Sequence, residues 1–221
     1  MPTILDEAEV RVLGALVEKQ TTTPEYYPLT LNALVLACNQ KSNRHPVVNY
    51  DEETVNRAIE SLRGKNLVYV FYGSTSRVPK YKHMMGEIFE LSPQELALMC
   101  VLMLRGPQTV GELRGRTDRL YDFSGLDEVE ETLRLLSSKE PQSLVAKLTR
   151  QPGQKEVRYA HLLSGEISID YAPEREGTAS EDVSKPIRSD RLKELEQEVE
   201  TLRGEVNSLR QEFEDFKKQF D

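Results

Sequence analysis

The strongest constraint on this chain is that it repeats itself. Leu5-Asp6-Glu7-Ala8-Glu9-Val10 has the pattern of a helix start, with Asp6 as N-cap and Glu9 as its capping-box partner. Leu91-Ser92-Pro93-Gln94-Glu95-Leu96 repeats it with Ser92, Pro93 and Glu95 in the corresponding roles. Apolar residues then recur at helical spacing, at Val10, Leu13, Leu16 and Val17 and at Leu96, Met99, Val101 and Leu102. A second helix follows each, through Thr30 to Leu36 and from Thr109 to Leu113. In the third helices Val55, Ile59 and Leu62 match Val129, Leu133 and Leu136, each triplet forming one core-facing stripe.

Each copy then turns to β structure. Leu67 to Tyr72 is β-branched and aromatic, Gly73 to Ser76 is a turn, and Val78 to Met84 returns. The second copy has Leu144 to Thr149, a Pro152-Gly153 turn and Val157 to Leu163, with Lys80-Tyr81-Lys82-His83 aligning on Arg158-Tyr159-Ala160-His161. Three helices and a hairpin, twice, is the order of a winged helix-turn-helix. The expected fold is α+β, mainly α: winged helices over 1–86 and 87–165, a linker over 166–190 and a C-terminal coiled-coil helix over 191–221.

The linker segment loses all periodicity and scatters Pro173, Gly177, Ser180 and Pro186 among charges. Beyond it, Leu192, Leu195, Val199, Leu202, Val206, Leu209, Phe213, Phe216 and Phe220 alternate three and four apart, a heptad seam. The g residues Arg191, Glu198, Glu205 and Glu212 oppose the e residues Glu196, Arg203, Arg210 and Lys217 in a parallel pair, every pair opposite in sign. The pattern predicts a parallel homodimer, with folding back onto the chain's own helices, a tetramer or a different partner as the alternatives.

Net charge needs dividing before it informs. The whole chain is −8, but residues 166–221 carry −7 of that, while residues 39–86 hold eight basic against four acidic residues. A nucleic-acid surface therefore belongs in the first repeat. No run approaches the length of a membrane span, the N-terminus lacks a signal-peptide pattern, and the expectation is a cytoplasmic protein that does not engage a membrane. Cys38 and Cys100 each sit in apolar helical patterns and are expected as buried thiols.

Several candidate contacts follow. Asn39, Gln40, Lys41, Asn43 and Arg44 form a polar run after an apolar helix, suited either to phosphate or to capping and bonding the local backbone. Arg77, Lys80 and Lys82 lie on the hairpin, where phosphate contact and protection of a solvated edge strand are both open. Asn56, Arg57 and Arg63 are the third-helix residues that could reach DNA, although that helix starts Asp51-Glu52-Glu53, which suits the helix dipole and repels phosphate. In the second repeat Asp127-Glu128-Val129-Glu130-Glu131 makes a poor groove reader, which points to a protein-interaction or packing module there, and Arg114, Arg116 and Arg119 have acidic neighbours. His45, His83 and His161 have no metal spacing, and no nucleotide loop or nucleophile elbow is present, so neither a cofactor nor enzymatic activity is expected.

Leu31-Asn32-Ala33-Leu34, Ala37 to Arg44, Pro46-Val47 and Val55 resemble the signature of the YceH family of bacterial proteins. Arg11 to Lys19, Thr23-Pro24 and Tyr27-Pro28 are similar to it as well. The resemblance covers about residues 1–165 and implies tandem winged helices in the bacterial cytoplasm, with no activity to carry over. The leading expectation is a DNA-binding or transcription-associated regulator that dimerises through its tail. The alternative is a non-catalytic adaptor whose acidic winged helices bind other proteins.

Overall fold

Asp6 opens α1 (Glu7–Thr22) through a reciprocal cap: its carboxylate accepts the Glu9 N–H at 2.8 Å, and the Glu9 carboxylate accepts the Asp6 N–H at 2.7 Å. Ser92 and Glu95 do the same for α5 (Pro93–Arg105), and Thr109 and Glu112 for α6 (Val110–Thr117). These helix starts fall where the sequence places them. The computed structural model describes residues 4–72, 78–150 and 156–165, all within one compact unit spanning Met1–Tyr171. The expected linker over 166–190, the coiled coil over 191–221 and Arg77 lie outside the described residues.

The described residues are mainly helical, with two small antiparallel sheets. After α1 come β1 (Leu29–Thr30), α2 (Leu31–Cys38), α3 (Glu52–Gly64), β2 (Val68–Phe71) and β3 (Lys80–His83). A short α4 (Met85–Ile88) then leads to α5, α6, α7 (Leu126–Ser137), β4 (Val145–Lys147) and β5 (Tyr159–His161). The division expected at residues 86–87 thus falls inside α4. The first sheet has the order β1-β3-β2. In the second copy Gln108 bridges Tyr159 on the far side of β5 from β4, so one bridge stands where β1 stands in the first. Both third-helix stripes are buried: Val55, Ile59 and Leu62 at 0%, and Val129, Leu133 and Leu136 at no more than 1%.

A second device occurs in both repeats. Lys65, at the end of α3, reaches back to the Glu9 carboxylate at 2.5 Å and to the Ile4 carbonyl at 2.9 Å. Lys139, past the end of α7, reaches the Glu95 carboxylate at 3.1 Å and the Glu90 carbonyl at 2.8 Å. Each lysine ties the end of the third helix to the start of the first and answers a capping carboxylate that packing has buried. Burial opposes the charged form of Glu9, but hydrogen bonds from Lys65 and Ser61 outweigh it and hold that carboxyl below its usual range.

The two repeats share one core because α1 and α5 cross closely. Gly14 makes the crossing: a Cβ there would lie 2.9 Å from Leu104 Cδ2 and 3.2 Å from Met103 Cβ. The Cys100 thiol donates to the Gly14 carbonyl at 3.6 Å. Backbone bonds join the copies on either side, Leu5 N–H to the Leu163 carbonyl at 2.7 Å and His45 N–H to the Leu104 carbonyl at 2.8 Å. Both cysteines are buried free thiols, and burial pushes Cys38 up to about 12. Among the described residues no helix is long and apolar enough to cross a membrane.

Candidate nucleic-acid interface

β2 and β3 pair with Val68 opposite His83, Tyr69 opposite Lys82, Val70 opposite Tyr81 and Phe71 opposite Lys80. Successive strand residues point to opposite faces, so the hairpin divides cleanly. One face holds buried Val68, Tyr81 and His83 with half-buried Val70. The other holds Tyr69 and Phe71, 59% and 46% exposed, each beside a half-exposed lysine. Tyr72 and Val78, nearer the turn, are also exposed. Aromatic rings flanked by ammonium groups can stack bases and hold phosphates. The Lys82 ammonium is 3.6 Å from Glu87, an exposed and therefore weak pair. Lys80 and Lys82 are candidates from the sequence, and their aromatic partners Tyr69 and Phe71 are not among those candidates. The signal was the i, i+2 spacing of Tyr69 and Phe71 opposite those lysines.

The polar run after α2 is built into the fold. Of the two roles open to Arg44, the structure takes the structural one: its side chain is fully buried (0% exposed) and grips Glu18 at 2.6 and 3.1 Å. Its remaining donors go to the Ala37 and Asn43 carbonyls and to Gln40 Oε1, so it has no place in a surface site. A buried guanidinium needs this full set of acceptors to offset its desolvation. Asn39 both donates to and accepts from the Tyr50 backbone at 2.8 Å. Asn43 adopts φ 58°, a conformation asparagine tolerates, and accepts from Arg105 at 2.5 Å. Asn39, Gln40 and Asn43 thus hold the turn in place, leaving Lys41 as the exposed member of the run.

Asn56 and Arg57 are exposed on α3, and Arg63 is taken up by Glu60 at 2.7 Å. No hydrogen bond or ion pair among the described residues joins Lys41, Asn56 or Arg57 to the hairpin face. Asp51 caps α3 by accepting the Thr54 N–H at 2.8 Å, and Glu52 and Glu53 complete an acidic first turn. The basic excess of residues 39–86 is therefore smaller at the surface than in the sequence. Arg44 and Lys65 answer Glu18 and Glu9, two acids outside that stretch.

The second hairpin has the same frame and different chemistry. Val145 faces His161 as Val68 faces His83, but Ala146 faces Ala160 where Tyr69 faces Lys82. The Leu148 N–H donates to the Arg158 carbonyl, the counterpart of the Phe71–Lys80 pair, and the Arg158 guanidinium bonds Glu112 at 2.8 Å. His83 is buried on Gln20 and the Met85 N–H, and His161 is buried at Nδ1 with no hydrogen-bond partner among the described residues. Burial depresses both imidazoles to about 4, with the charges of Glu87 and Lys82 acting in opposite senses on His83. Among the described residues no group of three or more His, Cys, Asp or Glu is placed to hold a metal ion.

The family model for "Protein of unknown function, DUF480" matches residues 5–154, which takes in both helical triads and the whole candidate face. The chain belongs to the DUF480 family. The DUF480 chain is similar to UPF0502 proteins of several bacteria. It is 54% identical to that of Opitutus terrae over 90% of this chain and 84% of the relative. It is 51% identical to that of Pelobacter propionicus, and 47% to that of Geobacter sulfurreducens, over the full length of both chains in each case.

Proposed function

We propose that this DUF480 chain is a YceH-like, non-enzymatic, nucleic-acid-binding regulator, built on two winged helices and joined into a dimer by its C-terminal heptads. The observation that carries the reading is the hairpin face on which Tyr69 sits beside Lys82 and Phe71 beside Lys80, with both rings open to solvent. The repeated order of three helices and a hairpin supports the winged-helix assignment, with Leu29 and Gln108 pairing onto Tyr81 and Tyr159 as the strand before each second helix. The acidic start of α3 disfavours groove entry by that end, which makes the hairpin the contact and single-stranded nucleic acid the better substrate.

Fluorescence anisotropy with a labelled single strand and the matching duplex tests this, read between about 50 and 200 mM salt. Salt-dependent binding that favours the single strand is expected. Absence of binding to both at the lower salt sinks the proposal. An adaptor role is the second reading, favoured by α7, which exposes Leu126 (50%) and Leu135 (46%) among Asp127, Glu130 and Glu131. Affinity capture from the native host distinguishes it: a protein partner lost on Leu135→Asp supports the adaptor, and no recovered partner counts against it.

A further inference from the structure

β2 is the outer strand of the first sheet, and its free edge carries no charge from Val68 to Tyr72. The Met84 N–H donates to the Leu67 carbonyl, which fixes the phase of the ladder. Bonded pairs alternate along an antiparallel ladder, so Leu67, Tyr69 and Phe71 bond inward to β3. The N–H and C=O groups of Val68, Val70 and Tyr72 point outward. Among the described residues none of these outward groups has a hydrogen-bond partner.

We infer that this edge pairs with the same edge of a second copy, antiparallel about a two-fold axis through Val70. The edge is complementary to itself in that register. Val70 bonds Val70 of the second copy, and Val68 bonds Tyr72 in both directions, for about six backbone hydrogen bonds. Tyr69 and Phe71 then face each other across non-bonded positions, where cross-strand side chains approach most closely and aromatic pairs stabilise most. Lys80 and Lys82 stay on inner strands, separated from their copies by about 14 Å, beyond the screening length at physiological salt. The result is one six-stranded sheet whose open face carries four aromatic rings.

The second repeat supports this by contrast. There the Leu162 N–H donates to the Leu144 carbonyl, so Val145 and Lys147 hold the outward positions of β4. Lys147 occupies the place of Val70 and is exposed, the device by which edges are kept from pairing. The first edge lacks that lysine.

The inference rests on the edge backbone and not on what the face binds, so it stands or falls apart from the nucleic-acid reading. In the full chain, Tyr69→Cys with Phe71→Cys places the two thiols opposite each other across the dimer, at a separation of about 4.5 Å between Cα atoms, within disulfide range. Cys38 and Cys100 are buried and do not compete. Mild oxidation at micromolar concentration is expected to give a covalent dimer. Either single variant should give about tenfold less, since like residues sit diagonally. Val70→Lys, added to the double variant, installs the second repeat's own residue and is expected to abolish the cross-link with circular dichroism unchanged. Absence of a cross-link overturns the inference, as does one that survives Val70→Lys or forms equally in the single variants. Those results would place another partner, or nothing, on this edge.

Discussion

The two hairpins have one register and opposite surfaces. In both, a valine faces a histidine and a tyrosine on the return strand receives the strand before the second helix. In the first, the outward positions hold Tyr69, Phe71, Lys80 and Lys82. In the second, the equivalent positions hold Ala146, Leu148, Arg158 and Ala160, with Ala160 buried and Arg158 bonded to Glu112. Residues that fix the frame recur, and residues that face outward do not. Duplication therefore separates what the fold needs from what the first copy adds. The residues it adds are the ones the proposed function uses.

The largest expected effect probes the part of the first repeat assigned here to the fold. Glu18→Ala or Arg44→Met leaves one buried charge without its partner and should cost about 3–5 kcal/mol in urea unfolding. A change below about 1 kcal/mol would return Arg44 to the list of surface contacts. Next come the added residues. Tyr69→Ala and Phe71→Ala should each weaken single-strand binding by about 1–3 kcal/mol, roughly five- to 150-fold, while stability moves by no more than about 0.5 kcal/mol. The recurring ties between third and first helices sharpen the comparison from the other side. Lys65→Met and Lys139→Met should each cost about 1–2 kcal/mol, and similar losses would confirm one device used twice.

The paired histidines give a pH test. Both imidazoles are depressed from 6.5 to about 4, so between those values the unfolded chain binds more protons than the folded one. Their contribution to stability is complete above pH 6.5 and is lost as pH falls towards 4. His161→Leu removes a buried nitrogen with no hydrogen-bond partner among the described residues, and should flatten that loss at little cost at neutral pH. His83→Leu leaves Gln20 and the Met85 N–H without their partner and should destabilise at pH 7.5 as well. Urea midpoints at pH 5 and 7.5 read both. The smallest effect belongs to charge alone: Lys80→Ala and Lys82→Ala should each lower the salt slope of binding by about 0.7–0.9.

Much of the frame was legible because it is written in local patterns. The capping boxes at Asp6, Ser92 and Thr109 announce their helices, and the third-helix triplets announce their buried faces. β1 was not legible, since two residues carry no period, and α4 is a single turn. The sequence leaves Arg44 open between phosphate and the local backbone because its partner lies 26 residues away on α1, a helix whose Glu9, Arg11 and Glu18 are buried along with its apolar residues. An isolated arginine in a polar run looks the same whether it meets solvent or a buried carboxylate. The basic excess misled for the same reason: it counted cations that answer acids elsewhere in the fold. From the sequence Tyr69 and Phe71 are strand formers and no more, because β propensity does not say which face of a strand is covered.

The most direct test measures single-strand binding at low salt by anisotropy for three proteins: the wild type, a Tyr69→Ala/Phe71→Ala/Lys80→Ala/Lys82→Ala variant, and a Lys147→Ala control on the second hairpin. The account predicts salt-dependent binding by the wild type, a loss of about 100-fold or more in the first-hairpin variant, and an unchanged control. It is contradicted if the wild type does not bind, if the first-hairpin variant binds as the wild type does, or if the control loses as much.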